Sequence, residues 1–204
     1  EYLKENKTYL ITGGLGKVGK ILTTYLCDIY KSKVIIIGRR IIPSENLSES
    51  SSNEQKIDSR LMEAFKDLEK LKEGNRPIFY YNTDVSDYNA FNEVIEKIES
   101  EHGKISGVIH AAGNINNLTF KPIEKLDAKI ALKQFQPKVQ GTINLNIIFK
   151  NRNLDFVWIT SSLSSVLGGL TFGAYSVANA FIDSFVNNKR EDLKNWFCIN
   201  LDGI

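Results

Sequence analysis

The sequence predicts an α/β fold in which a doubly wound parallel sheet carries helices on both faces. Short apolar, β-branched stretches alternate with helical patterns along the 204 residues, as in parallel sheets. A glycine-rich turn follows the first apolar stretch, and two serines follow another, Val157 to Thr160. Open α/β sheets bind ligands at the carboxyl edge of their strands, so the turn and the serines predict a ligand site there.

Composition is ordinary for a globular protein, with 42% hydrophobic and 25% charged residues. The net charge of +2 favours neither a nucleic-acid nor a membrane partner. No stretch has the length of a membrane span or the pattern of a secretory signal. Cys27 and Cys198 lack metal-type spacing and predict two buried, reduced thiols in a cytoplasmic protein. Because Glu1 nearly abuts one predicted strand and Ile204 another, we expect a piece of a longer polypeptide.

The first predicted strand, Lys7 to Ile11, leads into the glycine turn and then into a helix from Lys20 to about Tyr30. Gly14, Gly16 and Gly19 have the G-x-G-x-x-G spacing. Glycines at this spacing allow a tight turn, close approach of the backbone to a pyrophosphate, and close packing of helix on strand. The helix N-terminus would supply the anion site. A purely structural turn is the alternative.

The second predicted strand, Lys33 to Ile37, is followed by Gly38-Arg39-Arg40. At this point a dinucleotide fold recognises the adenosine ribose. An acidic residue would pair with the ribose hydroxyls of NAD, whereas arginines can hold a 2′-phosphate through forked, charge-assisted hydrogen bonds. Arg39 and Arg40 therefore predict NADPH over NADH, with solvated surface arginines as the alternative.

A long connection separates the second strand from the third. Ser44 to Gln55 is rich in Ser, Glu and Asn and predicts a mobile loop. The apolar spacing from Ile57 to Lys72 predicts a helix. A connection of this length is either functional or an insertion.

The third predicted strand, Pro77 to Tyr81, is followed by a helix from Tyr88 to His102 and a fourth strand from Ile105 to His110. Asp84 lies at the end of the third strand and could reach an adenine amino group. Asp87 is expected to cap the helix instead.

Small residues, Ala111-Ala112-Gly113, follow the fourth strand and would let a cofactor lie close over its end. His110 could act as a catalytic base, but we favour a histidine packed beside the cofactor. From Leu126 to Phe149 the pattern predicts one or two helices, with Pro137 as a boundary or kink. The last predicted strand is Trp196 to Leu201.

Polar residues after the fifth strand form a candidate catalytic group. Ser161 and Ser162 lie at the predicted sheet edge. Tyr175 and Asn179 are four residues apart, so they share one helix face. A hydroxyl at a strand end and a phenol on the following helix can converge on one carbonyl oxygen. Lys138, on an earlier helix, would ordinarily be a solvated charge.

These residues resemble the short-chain dehydrogenases/reductases and, more closely, the ketoreductase domains of modular polyketide synthases and hybrid nonribosomal peptide synthetases. The resemblance covers essentially the whole chain. The stretches that match the family pattern are Thr12-Gly13-Gly14-Leu15-Gly16, Gly38-Arg39-Arg40, His110-Ala111-Ala112-Gly113, Pro137-Lys138-Val139-x-Gly141, Ser161-Ser162, Tyr175-x-x-x-Asn179 and Ile199-Asn200-Leu201-Asp202-Gly203. The spacing within Lys138, Ser162, Tyr175 and Asn179 matches as well.

The resemblance implies a Rossmann-like fold of the short-chain dehydrogenase/reductase type, truncated before the last strand and lid. Residues 1–204 would then be a single catalytic domain that lacks its C-terminal end. The implied tetrad is Lys138, Ser162, Tyr175 and Asn179, with lysine and asparagine exchanged relative to simpler reductases. The implied NADPH contacts are Thr12, Gly14, Leu15, Gly16, Gly19, Arg39, Arg40, Asp84, Val85, Ala111, Ala112 and Gly113.

The implied reaction is the NADPH-dependent reduction of a ketoacyl thioester, usually β-keto, to a hydroxyacyl thioester. The substrate would be attached to the phosphopantetheine of an acyl carrier or peptidyl carrier protein. The other domains of the same synthase would be further partners. Tyr175 would donate a proton to the forming alkoxide, and Ser162 would stabilise the same oxygen. Lys138 would favour the tyrosinate and hold the nicotinamide ribose, while Asn179 would order water or backbone nearby.

The chain departs from the family pattern in several places. Ile115-Asn116-Asn117 replaces a frequent Leu-Asp-Asp, Leu167 stands where tryptophan marks one stereochemical class, and Phe172 replaces a frequent glutamine. Lys17 stands where a third turn glycine is common. Stereochemistry and the position of the ketone therefore stay open.

Three alternatives stay open beside β-keto reduction. One is α-ketoacyl reduction in a depsipeptide synthetase. Another is a free-standing short-chain alcohol dehydrogenase, against which the abrupt ends and the position of Lys138 argue. The third is a non-catalytic structural half, against which the retained glycines and tetrad argue.

Overall fold

The computed structural model describes residues 2–42, 59–114, 119–188 and 194–202. Within them, six strands form one sheet in the order β3-β2-β1-β4-β5-β6, with all neighbours parallel. The strands are Thr8–Thr12 (β1), Lys33–Gly38 (β2), Ile78–Asn82 (β3), Gly107–His110 (β4), Phe156–Ser162 (β5) and Trp196–Leu201 (β6). The chain starts in the middle of the sheet and winds first to one edge, then to the other, which confirms the predicted doubly wound topology.

Seven α-helices connect the strands in the described residues, and most begin and end near their predicted positions. They are Lys17–Tyr30 (α1), Ser59–Lys72 (α2), Tyr88–His102 (α3), Ala128–Phe135 (α4), Gly141–Phe149 (α5), Ser164–Leu167 (α6) and Gly173–Asn188 (α7). Asp87 caps α3 as predicted, since its side chain accepts a hydrogen bond from the Ala90 amide at 3.1 Å. Between α4 and α5 the chain forms a π-helical turn, Gln136–Gln140, which contains Pro137.

The core consists of two layers, one on each face of the sheet. Along β2, Ile35 and Ile37 belong to the layer under α3, α5 and α7, while Val34 and Ile36 belong to the layer under α1 and α2. All four side chains are fully buried. A strand buried on both faces explains why the sequence is apolar without alternation.

Several sequence predictions fall outside the described residues: the loop Ser44 to Gln55, the Ile115-Asn116-Asn117 departure and Gly203. Both cysteines are free. The prediction of two buried thiols is right for Cys27 but wrong for Cys198, which is half-buried because β6 lies at the edge of the sheet. Among the described residues, none of the helices is long and apolar enough to cross a bilayer.

Candidate active site

The glycine turn joins β1 to α1 by packing backbone against backbone. Gly13 has a φ of +72°, and a Cβ there would lie 2.6 Å from the Ala111 carbonyl oxygen. A Cβ at Gly19 would lie 2.5 Å from the Gly14 Cα. Only glycine fits either position. Gly19 thus has the helix-packing role that the motif predicts, while the left-handed residue is Gly13, one before the counted motif.

Gly16 caps α1 without a side chain. Its amide donates to the Gly13 carbonyl at 2.9 Å, and its carbonyl accepts from the Lys20 amide at 2.9 Å. Leu15, beside it, is half-buried against the layer under α1. The N-terminus of a 14-residue helix therefore opens at the carboxyl edge of β1 with little side-chain cover.

The basic pair lies at the carboxyl end of β2, beside the loop that follows β3. Arg39 Nη1 lies 3.7 Å from Asp84 Oδ2, and both side chains are well exposed. The Arg40 carbonyl accepts a hydrogen bond from the Tyr80 hydroxyl at 2.7 Å. The two segments predicted to hold the adenosine end of a cofactor are thus neighbours.

Val85 lies just behind this loop and is buried. Its carbonyl accepts a hydrogen bond from Asn144 Nδ2 at 2.9 Å, which ties the loop to α5. Asp84 itself is held by Ser86, whose amide and hydroxyl donate to Oδ1 at 2.9 and 2.7 Å.

The small residues after β4 lie between the glycine turn and the polar group, by which we mean Lys138, Ser162, Tyr175 and Asn179. The Ala111 amide donates to the Thr12 carbonyl at 3.0 Å, and Ala112 packs at the margin of the core. Gly113 is exposed, and a Cβ there would lie 3.5 Å from Lys138 Cε. Small side chains therefore follow β4 at the edge of the sheet, and the cofactor contact expected of them stays a prediction.

Lys138 is buried rather than solvated, so its ordinary interpretation as a surface charge is wrong. Only 4% of it is exposed. Its Nζ donates to the Thr160 carbonyl at 3.0 Å and lies 5.6 Å from the centroid of the Tyr175 ring. Burial lowers the Lys138 pKa to about 8, with Asp183 acting in the opposite direction.

Ser162 and Tyr175 lie at the same edge of the sheet. Ser162 ends β5, where its hydroxyl accepts from the Ser164 amide at 3.2 Å. Tyr175 lies in the first turn of α7, half-buried. Its ring is packed edge-on by Phe120 and Phe172, with centroids at 5.6 and 5.9 Å. These contacts fix the ring beside Lys138.

Asn179 is fully buried one helical turn after Tyr175. Its Nδ2 donates to the Tyr175 carbonyl at 2.8 Å. Its Oδ1 is buried and has no partner in the described part of the chain. Since buried acceptors are normally satisfied, this oxygen is suited to an ordered water or another donor.

Asp183, a carboxylate that was not predicted from the sequence, lies next to these residues. Asp183 Oδ2 accepts from Ser165 Oγ at 2.6 Å and from Asn200 Nδ2 at 3.0 Å, and Asn200 Nδ2 also lies 3.3 Å from the Ser162 carbonyl. Burial raises the Asp183 pKa, but these hydrogen bonds outweigh burial and hold it below its usual value. The sequence did contain a signal for Asp183, because Tyr175, Asn179 and Asp183 are spaced four residues apart and so share one face of α7.

His110, the alternative base, does not face the sheet edge. It is 1% exposed, and its ring nitrogens meet Thr12 Oγ1 and the Pro137 carbonyl. Thr12, at the start of the glycine turn, is likewise fully buried, and its hydroxyl contacts the His110 ring. Both nitrogens of His110 are thus occupied by the protein.

A parallel sheet in this order, with a glycine turn after β1 and a lysine beside a tyrosine at its carboxyl edge, defines a fold of the short-chain dehydrogenase/reductase type. A short-chain type dehydrogenase/reductase from Mycobacterium ulcerans shares the fold, with a TM-score of 0.74 at 22% identity over 98% of this chain and 68% of that one. The chain belongs to the KR domain family, the ketoreductase domains, whose family model matches residues 7–204.

Relatives and solved structures agree with this family. A ketoreductase from the macrolactin assembly line is 27% identical, with a TM-score of 0.80 over 98% of this chain and 37% of that chain. Polyketide synthase PksM of Bacillus subtilis is 32% identical over 93% of this chain and 4% of that protein. The 6-methylsalicylic acid synthase of Aspergillus terreus is 27% identical over 94% of this chain and 10% of that protein. The chain thus spans a small part of the curated relatives it matches.

Proposed function

We propose that this chain reduces the keto group of a ketoacyl thioester to a hydroxyl group, with NADPH as the reductant. The observation that carries the proposal is Lys138, a buried cation whose Nζ lies 5.6 Å from the Tyr175 ring at the ligand edge of the sheet. A buried charge is costly and is retained where it serves a site. Membership of the ketoreductase family supports the same reaction.

The residues at the sheet edge fit a nicotinamide dinucleotide. The glycine turn offers backbone amides and the N-terminus of α1 to a pyrophosphate, and Gly16 lies exposed at that end of the helix. Arg39 and Arg40 present exposed guanidinium groups beyond β2, which suit a 2′-phosphate. NADPH, when bound, supplies the hydride. Asp84 and Val85 would face its adenine, and Ala111-Ala112-Gly113 would lie beneath it.

The chain's own residues would hold and protonate the substrate oxygen. Tyr175 donates its proton to the forming alkoxide, and Ser162 donates a hydrogen bond to the same oxygen. Lys138, protonated, favours the tyrosinate that remains. Asn179 Oδ1, which has no hydrogen-bond partner among the described residues, holds a water through which the proton is replaced.

The substrate would be a β-ketoacyl group on the phosphopantetheine of an acyl or peptidyl carrier protein. The relatives are polyketide synthases, of which this chain corresponds to a small part, and this supports a site that works beside other domains of one synthase. In that setting residues 1–204 would act as the catalytic ketoreductase domain.

Paired synthetic thioesters test the substrate. NADPH oxidation is followed with the full-length protein on a β-ketoacyl thioester and on an α-ketoacyl thioester of equal chain length. Turnover confined to the β-keto compound is expected. Turnover confined to the α-keto compound would assign the protein to depsipeptide assembly. NADPH binding without reduction of either would refute the substrate class, and no NADPH binding would refute the cofactor site.

Arg39 and Arg40 set the cofactor preference, which a double substitution tests. Arg39→Ala with Arg40→Ala is expected to weaken NADPH binding about 10- to 100-fold, the range for losing a charge-assisted contact. NADH binding should hardly change. Lys104→Ala, an exposed charge before β4 at the opposite edge of the sheet, is the matched control. Equal loss of both cofactors would show that the pair does not contact a 2′-phosphate.

A further inference from the structure

His110 is a buried, titratable residue that the proposed reaction does not use. It ends β4, where its Nδ1 lies 2.6 Å from Thr12 Oγ1 and its Nε2 lies 2.9 Å from the Pro137 carbonyl oxygen. A carbonyl oxygen only accepts, so Nε2 carries the hydrogen. Nδ1 then accepts from the Thr12 hydroxyl. The two partners select one neutral tautomer.

The Pro137 carbonyl is available to His110 because the helix changes its hydrogen-bond pattern there. In a regular α-helix the Gly141 amide would donate to Pro137, four residues earlier. In the π-helical turn it donates to the carbonyls of Gln136 and Lys138 instead. The Lys138 carbonyl also accepts from the Thr142 hydroxyl at 2.6 Å. Two side chains thus donate to carbonyls of the π-helical turn: Thr142, which lies on α5, and His110, which lies on β4 of the sheet.

The π-helical turn decides where Lys138 points. Lys138 directly follows the carbonyl that His110 holds, and its Nζ reaches the Thr160 carbonyl and the Tyr175 ring. Thr160 Oγ1 in turn donates to the His110 carbonyl at 3.2 Å. A Cβ at Gly141 would lie 3.1 Å from His110 Cε1, so α5 packs closely on the imidazole.

We propose that His110 is a positioning residue, which clamps the π-helical turn to β4 and β1 and so holds the Lys138 ammonium group beside Tyr175. The proposal rests on the proposed reductase function, in which Lys138 acts on Tyr175. Burial, and then the charge of Lys138, lower the His110 pKa to about 3, so the clamp keeps one hydrogen-bond pattern at working pH. A protonated imidazole could not accept from Thr12.

Two substitutions in the full-length protein test the clamp. His110→Leu removes both hydrogen bonds and is expected to lower kcat about 100-fold, as a small misplacement of catalytic groups does. NADPH affinity should fall much less than kcat does. His110→Gln should recover most of kcat, because its amide can donate to Pro137 and accept from Thr12. Hydrogen exchange of amides 138–142 should accelerate in the leucine variant and not in the glutamine variant.

The control is Ile98→Ala, which truncates a fully buried side chain of α3 outside the proposed site. It should lower Tm and leave kcat at the wild-type value. The clamp is refuted if His110→Leu lowers kcat no more than Ile98→Ala does, or if exchange of the turn is unaltered. A wild-type protein that reduces no ketoacyl thioester refutes the proposed function instead, and hydrogen exchange still decides whether His110 holds the turn.

Discussion

Burial of the charged Lys138 side chain lowers the free energy of unfolding. Its pKa falls to about 8 on burial, against 10.5 for a free lysine. At about 1.4 kcal/mol for each pKa unit, this corresponds to roughly 3 kcal/mol of unfolding free energy lost at neutral pH. The hydrogen bond to Thr160 and the charge of Asp183 limit that cost without removing it.

Replacing Lys138 by methionine should therefore stabilise the fold at pH 7 and abolish turnover. The unfolded lysine binds a proton up to about pH 10.5, whereas the folded one releases it near 8. The unfolding free energy of the wild type should thus rise between these pH values, and that of Lys138→Met should not. Urea unfolding at pH 7 and 9.5 measures both slopes, with exposed Lys104→Met as the control. A methionine variant less stable than wild type at pH 7 would contradict this.

Tyr175 contributes a hydroxyl that can be removed without disturbing its surroundings. Tyr175→Phe keeps the ring that packs on Phe120 and Phe172 and lies beside Lys138. Turnover should fall by about 10²- to 10⁴-fold, the range for losing a general acid. Stopped-flow reduction measures the rate, and fluorescence titration checks that NADPH affinity is retained. Near-normal turnover would mean that the proton comes from elsewhere.

At the scale of elements, the site depends on how closely α1 and the π-helical turn approach the sheet. Both approaches use glycine: Gly19 against the backbone of Gly14, and Gly141 against His110 and Val85. A helix that lies this close brings its terminal amides or its side chains over the strand ends. A methyl group at Gly19 would meet backbone and displace α1, whereas one at Gly141 would press on the side chains of His110 and Val85.

Gly19→Ala should separate α1 from the glycine turn. Its Cβ would lie 2.5 Å from backbone, so we expect a loss of about 1–3 kcal/mol in unfolding free energy and NADPH binding at least about tenfold weaker. Gly74→Ala is the matched control, because its φ of +77° costs about 1–2 kcal/mol while nothing lies within 4 Å. Denaturant melts and NADPH titrations of both variants separate stability from binding. Equal NADPH affinity in the two variants would contradict the packing role.

At the scale of the whole molecule, the sheet separates two core layers, which have no buried side chain in common within the described part of the chain. One lies under α3, α5 and α7, and the other under α1 and α2. Lys138 lies in the π-helical turn before α5, and Tyr175 and Asn179 lie on α7, so they belong to the first side, while the glycine turn precedes α1 on the other. The residues proposed to bind cofactor and substrate thus come from both sides of the sheet and lie at its edge.

Separate layers predict additive mutations. Ile95→Val in one layer and Ile78→Val in the other should each cost about 1 kcal/mol in unfolding free energy. The double variant should match their sum within about 0.5 kcal/mol, since the two side chains share no partners. Urea unfolding of the four proteins measures the coupling. A coupling well above that figure would show that the sheet transmits strain between layers.

The sequence by itself determined the topology, most element boundaries, the glycine turn, and the placement of Ser162, Tyr175 and Asn179 at one edge of the sheet. It could do so because these follow from local patterns: apolar stretches of strand length, glycine spacing, and a four-residue helical repeat. The position of Lys138 in the tetrad came from resemblance and not from periodicity. Periodicity alone made it a surface charge, because a lysine's burial depends on what packs above it.

Only the tertiary structure decided which groups surround that lysine. The contact of His110 with Pro137 and the cluster of Asp183 with Ser165 and Asn200 each join residues that are well separated in the chain. A hydrogen bond between distant residues leaves no periodic trace in sequence. Burial, and the pKa shifts that it causes, are likewise properties of the packed molecule, because they depend on how much water the surrounding elements exclude.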